Sequence, residues 1–430
     1  MTSLLERDSK YVWHPFTQHQ TSGPPLGVIK AAGSVLHLHD GTTLIDAISS
    51  WWTSLFGHGH PKIIESIQKQ ASILDHVIYA GCTHEPAVST AEQLIKYTGL
   101  EGGKVFFSDN GSTAVEVALK ATTQYWQNCD QEARTEFITF SNAYHGDTIG
   151  AMSAGDPGDF GRPFRKLLFP THRAELPLVN DHPGEVERKQ GDLETLFAKL
   201  GDRLAGIIIE PMVQGAGGMQ MTHPETLEKI IQKTRKYGGL VIADEVMTGF
   251  GRTGELFAYQ HQAEQPDIMC LAKGLTGGTL PLATTVFRKG LFEAFLDERK
   301  ERAFLHGHSF TANPIACAAA QASLKLMQTD EFSSALKRIG EGTRLRLEAL
   351  QSHRNVRSIR QLGTIGAVEL NGGHGYFAAN GLDIPAVGRK HGVLLRPLGN
   401  VIYSMPPLST TEAQLQKIYD AIDDCLEKWS

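Results

Sequence analysis

A chain of 430 residues with 41% hydrophobic composition can bury a large core, yet it exceeds what one core ordinarily organises, so two sub-domains are expected. A net charge of −6 with acids and bases interspersed supplies neither the basic stripe of a nucleic-acid binder nor the polybasic run of a membrane-surface protein, leaving small molecules or a second copy of the chain as partners. The five cysteines, Cys82, Cys129, Cys270, Cys317 and Cys425, are odd in number, scattered and without CxxC spacing, which suits a reducing cytoplasm. Residues 1–10 are polar and charged where a secretory signal needs an apolar stretch, and no later run reaches the ~20 apolar residues of a membrane span, so a soluble, unprocessed, cytoplasmic protein is expected. His37 and His39 alternate in a strand-like run, and His58 and His60 flank Gly59. With no cysteine or carboxylate cluster joining them, no metal is expected.

A helix is predicted from Ser112, because Val115, Ala118, Leu119, Thr122, Tyr125 and Trp126 recur at three- and four-residue intervals. Between residues 206 and 287 the apolar runs 206–210, 240–243, 268–271 and 283–287 are continuous rather than alternating, as in strands of a mainly parallel sheet covered on both faces. The helix before 240 is expected to open on a Thr222/Glu225 capping pair around Pro224 and to finish at Gly238-Gly239. Residues 401–403 are strand-like but lie outside this alternation. The last helix carries Leu415, Ile418, Tyr419, Ile422, Cys425, Leu426 and Trp429 on one stripe, behind a Ser409/Glu412 capping pair. The reading is an α/β fold with a large sheet domain over about 60–320 and a smaller domain built from about 1–59 and 321–430.

Asp244 and Glu245 stand where a buried strand ends, the edge at which open α/β sheets collect ligands, and Lys273 ends another such strand. Those two features by themselves also describe a structural ion pair. Gly111-Ser112 opens a helix, where free N–H groups and the helix dipole both favour an anion such as phosphate. Tyr144-His145-Gly146-Asp147 puts an aromatic ring beside a flexible glycine, suited to stacking on a planar group or to a turn. Ser309 adds a hydroxyl close after Gly307. A phosphate seat, a stacking aromatic, an acid and a lysine are together what pyridoxal phosphate requires: the lysine amine condenses with its aldehyde, and the acid keeps the pyridine nitrogen protonated.

The segments Ile209-Glu210-Pro211, Asp244-Glu245-Val246-Met247-Thr248-Gly249-Phe250-Gly251-Arg252-Thr253-Gly254 and Ala272-Lys273-Gly274 resemble the signature of fold-type I, class III aminotransferases, and the likeness spans nearly the whole chain. Within that class, Trp13-His14-Pro15, Ser49-Ser50-Trp51-Trp52, Val213-Gln214-Gly215-Ala216-Gly217-Gly218, Leu275-Thr276-Gly277-Gly278 and Arg396-Pro397-Leu398-Gly399 are similar to the diaminononanoate-forming branch of the biotin pathway. The resemblance implies a fold-type I transferase with a mainly parallel seven-stranded sheet sandwiched by helices and a smaller α+β domain from both chain ends. It implies Lys273 as the cofactor-carrying lysine, Asp244 on the pyridine nitrogen, Tyr144 on the ring, and Gly111, Ser112, His308 and Ser309 around the phosphate, the last two reaching across a homodimer. Phe16, Trp51, Trp52, Tyr144, Gly307, Arg396 and Tyr403 would contact substrate, with Arg396 clamping a carboxylate through two parallel hydrogen bonds.

The acceptor implied is 8-amino-7-oxononanoate and the product 7,8-diaminononanoate, formed by a ping-pong mechanism with S-adenosylmethionine as donor. Phe16 departs from that branch's adenosylmethionine-using pattern, where tyrosine is expected. Lysine therefore stays open as the donor, and another class III ω-aminotransferase is the remaining alternative. Gly251–Gly254 and Gly215–Gly218 lack the spacing of a dinucleotide loop and are expected to be tight turns near the cofactor. Arg252 is expected either to touch substrate or to hold an acid such as Glu210.

Overall fold

A computed structural model describes residues 3–156, 158–372 and 382–429. Its central feature is a seven-stranded sheet in the order Lys104–Ser108, Ala283–Phe287, Ile268–Leu271, Leu240–Asp244, Leu204–Ile209, Glu136–Phe140 and His172–Ala174. The strand Ala283–Phe287 runs antiparallel to both neighbours, and every other pairing is parallel. All residues of Leu204–Ile209, Leu240–Asp244 and Ile268–Leu271 are buried, which is why these strands carry unbroken apolar runs. The four strands predicted between 206 and 287 are present, within a residue or two at their ends.

The helix Gly111–Asn128 buries Val115, Ala118, Leu119, Thr122 and Trp126, and Tyr125 packs half-buried beside them. Helix Pro224–Lys236 ends at Gly238, whose φ of +73° is the left-handed turn that a glycine takes readily. Its start differs from the predicted capping pair: His223 is the cap residue, without a side-chain bond, and the Thr222 hydroxyl donates instead to the Pro177 carbonyl at 2.6 Å. A tertiary acceptor has taken the group that local spacing assigned to the helix.

Both ends of the chain contribute strands to smaller sheets separate from the seven-stranded one. Strands Val28–Ala32, Val35–Leu38 and Thr43–Asp46 form an antiparallel run, and Val393–Leu394 joins it in parallel, Leu394 opposite Asp46. Val356–Leu362, Ile365–Leu370 and Val401–Ser404 form a separate antiparallel sheet. The final helix, Glu412–Lys428, buries Leu415, Ile418, Tyr419, Ile422, Cys425 and Leu426 against Ile45, Leu347, Val368, Val393 and Ile402. Its capping box is Thr411 with Gln414 rather than Ser409 with Glu412, since Thr411 is the residue whose extended backbone aims its hydroxyl at the Gln414 N–H. Among the described residues no helix is long and apolar enough to cross a membrane.

Candidate active site

A cavity of about 690 Å³ opens where the strands of the large sheet end, lined by Phe16, Trp51, Trp52, Tyr144, Asp147 and Lys273 among others. Lys273 follows the strand Ile268–Leu271 with a φ of +47°, an uncommon backbone for a non-glycine residue and one concentrated at functional sites. Its amine lies 4.5 Å from the centre of the Trp52 ring. Burial pulls the Lys273 pKa down from 10.5 to about 8, against the opposing pull of Asp244 and Glu210. A lysine in that state loses its proton readily, as a nucleophile and proton carrier must.

Asp244, at the end of the adjoining strand, is buried behind the cavity wall. One of its oxygens sits 2.6 Å from His145 Nδ1, and the other accepts the Val246 N–H at 3.1 Å. His145 is buried too, and among the described residues its Nε2 finds no partner. Tyr144 keeps 39% of its surface open to the cavity, and burial of its hydroxyl pushes the phenol pKa upward. The Tyr144 backbone is anchored by Glu210, which accepts the Tyr144 N–H and the Gly215 N–H, each at 3.0 Å. Burial lifts the Glu210 carboxyl to about 7.

The helix Gly111–Asn128 starts beside this group. Asn110 caps it by accepting the Thr113 N–H, and the N–H groups of Gly111 and Ser112 have no partner among the described residues. The Ser112 hydroxyl accepts the Thr148 N–H at 3.0 Å and lies 2.7 Å from the Thr148 hydroxyl. Gly146, at φ +129°, packs so closely that a Cβ there would stand 2.3 Å from Ser112 Oγ. The turn therefore requires glycine, and it joins the helix start to the cavity.

Of the predicted substrate residues, Phe16 lies edge-on to Trp51 with ring centres 5.4 Å apart, and the Arg396 guanidinium lies 4.4 Å over the Trp51 ring. Tyr403 does not line the cavity; it is 1% exposed and its hydroxyl accepts the Trp52 indole N–H at 3.0 Å. Gly307, His308 and Ser309 lie away from this cavity, with the His308 N–H and carbonyl both engaged by the Thr311 hydroxyl. Arg252 takes neither expected role. It is 2% exposed and donates to the Pro406 and Ser54 carbonyls at 3.0 and 3.2 Å, tying two chain segments together. Burial brings its pKa down to about 10. His58 pairs with Asp46 at 2.9 Å. Gly217 and Gly218 line the cavity, in keeping with turns near a cofactor. His145, to which the sequence assigned no role, and Glu210, expected at most as a partner of Arg252, complete the site by holding Asp244 and the Tyr144 backbone.

The residues present fit pyridoxal phosphate: two unpartnered N–H groups at a helix start for its phosphate, an exposed aromatic face for its ring, a buried carboxylate and a lysine readily deprotonated. A mainly parallel seven-stranded sheet with this constellation at its strand ends defines a fold-type I pyridoxal-phosphate transferase. The sequence profile of class-III aminotransferases matches residues 17–426, and the chain belongs to that family. It is 45% identical to the adenosylmethionine-8-amino-7-oxononanoate aminotransferase of Synechococcus elongatus, over 97% of this chain and 99% of that one. The crystal structure of the enzyme of the same name from Methanocaldococcus jannaschii superposes with a TM-score of 0.89 at 32% identity, covering 98% of each chain. The ω-transaminase of Pseudomonas jessenii in complex with PMP superposes with a TM-score of 0.92 at 28% identity, covering 99% of each.

Proposed function

We propose that this aminotransferase moves an amino group from S-adenosylmethionine to 8-amino-7-oxononanoate, giving 7,8-diaminononanoate for biotin synthesis in the cytoplasm. The observation that carries the reading is the Arg396 guanidinium over Trp51 beside an aromatic-walled cavity. A nine-carbon keto acid has its carboxylate remote from its ketone, so it needs an apolar slot with a cation at the far end. Each buried methylene adds about 0.8 kcal/mol, and the bidentate carboxylate contact sets the register. The names carried by the similar Synechococcus and Methanocaldococcus proteins support the same acceptor.

When bound, pyridoxal phosphate supplies an aldehyde that exchanges amino groups and a ring that draws electrons from the adjoining carbon. Lys273 carries the cofactor and shuttles a proton through its amine. Asp244, oriented by His145, keeps the ring nitrogen protonated, because an adjacent anion favours the cation. Tyr144 would offer its face to the ring, and the N–H groups of Gly111 and Ser112 would hold the phosphate. Gly307, His308 and Ser309, remote from the cavity of their own chain, serve that of a second copy in a homodimer. Residues 60–320 form the cofactor domain, and 1–59 with 321–430 form the smaller one. Trp51 and Trp52 offer cation–π faces to a sulfonium, and Tyr403 acts on substrate through Trp52.

A second reading keeps the acceptor and takes lysine as donor. Phe16 favours it, since the ring lining the cavity lacks a hydroxyl to offer an adenosylmethionine. Half-reactions of the holoenzyme with each donor decide: spectral conversion of the cofactor by lysine alone replaces the first reading. Strong turnover of pyruvate and 2-oxoglutarate with none of 8-amino-7-oxononanoate rejects the acceptor.

A further inference from the structure

Ser49, Ser50, Trp51 and Trp52 have φ values of 50°, 46°, 71° and 72°. Four consecutive residues, none of them glycine, thus form a turn of left-handed helix, a conformation disfavoured for every L-residue in it. Such backbone persists only where its surroundings over-determine it. The Trp52 N–H closes the turn on the Ile48 carbonyl at 2.8 Å, and the Ser49 hydroxyl ties it to the Met405 carbonyl at 2.7 Å.

Three further hydrogen bonds around the turn converge on one side chain. Asp46 is fully buried, and one of its oxygens accepts the Ile48 N–H at 3.2 Å and the Ser50 N–H at 3.0 Å. The other accepts the Ser50 hydroxyl at 2.8 Å and faces His58 Nε2 at 2.9 Å. Burial opposes its charge, yet the bonds from His58 and Ser50 hold the carboxyl below the usual carboxylate range. His58 is itself pinned through its backbone, exchanging hydrogen bonds with Gly33 at 2.7 and 3.0 Å. The turn then delivers both indoles to the cavity, Trp52 against the Lys273 amine and Trp51 under Arg396.

We infer that Asp46, braced by His58, is a positioning residue for the acceptor site: its carboxylate holds the left-handed turn that presents Trp51 and Trp52, and so sets affinity for an acceptor with a long apolar stem. The inference rests on the function proposed above. Asp46 touches neither substrate nor cofactor and acts through the two rings.

The test uses the holoenzyme. Asp46→Ala removes the acceptor of two backbone N–H groups, and the KM for 8-amino-7-oxononanoate should rise at least about tenfold, with kcat falling less than about threefold. Asp46→Asn retains an oxygen for both N–H groups and should recover most of that affinity. His58→Ala should raise KM by several-fold, and it carries the test if Asp46→Ala does not fold. Amide exchange over residues 49–54 should accelerate in the alanine variants and not in Asp46→Asn. Folded variants with unchanged KM, or with only a lowered melting temperature, overturn the inference. If the wild-type enzyme does not turn over the keto acid, the proposed function has failed on its own account. In that case unaltered exchange at 49–54 in Asp46→Ala or His58→Ala still rejects the role of the pair in holding the turn.

Discussion

Replacing Lys273 by methionine should stabilise the cofactor-free protein at neutral pH. In the folded chain the amine has its pKa lowered by burial from 10.5 to about 8. At pH 7 it is charged in both the folded and unfolded states, but only the folded state bears the desolvation. A shift of that size corresponds to about 3 kcal/mol, since each pKa unit is worth about 1.4 kcal/mol. The face of Trp52, 4.5 Å away, returns part of this to the ammonium, roughly 0.5–2 kcal/mol by cation–π attraction, so a net gain of about 1–3 kcal/mol is expected for methionine. Methionine keeps most of the lysine stem's volume, which limits any packing loss.

The pH dependence carries a definite sign. The folded pKa lies below the unfolded one, so the unfolded chain binds more protons between about 8 and 10.5, and wild-type stability rises with pH across that window. The advantage of the variant is therefore full below about pH 8 and should shrink to under half near pH 9.5. Urea unfolding of cofactor-free wild type and Lys273→Met at a series of pH values measures it. A variant no more stable than wild type at pH 7, or an advantage that does not change with pH, refutes the assignment of a strongly desolvated amine.

Arg396→Met should raise the KM for the keto acid by about 10- to 150-fold through loss of a charged bidentate contact, while kinetics with an acceptor lacking the distant carboxylate change little. Asp244→Asn should lower turnover by at least about a hundredfold, because the protonated ring nitrogen loses its anion; single-turnover absorbance of the cofactor reads this directly. Gly146→Ala would place a Cβ 2.3 Å from Ser112 Oγ at a φ of +129°, so it should speed cofactor loss on dialysis and cost about 1–3 kcal/mol in stability, checked by melting with and without added cofactor.

Local sequence determined those parts of this protein that neighbouring residues enforce. The unbroken apolar runs ending at Asp244 and before Lys273 mark strands buried on both faces, because only there can every side chain avoid water. The three- and four-residue spacing of the last helix shows its buried stripe for the same reason. Tertiary structure decided what depends on groups distant along the chain. Thr222 bonds to Pro177 rather than capping the next helix, and Arg252 grips carbonyls at Ser54 and Pro406 rather than an acid or a substrate. His145 comes to lie behind Asp244, 99 positions away, and Tyr403 stands behind Trp52, 351 positions away. No glycine announces the left-handed turn at Ser49–Trp52, since the contacts that offset its strain come from Asp46, His58 and Met405 only after the chain has folded.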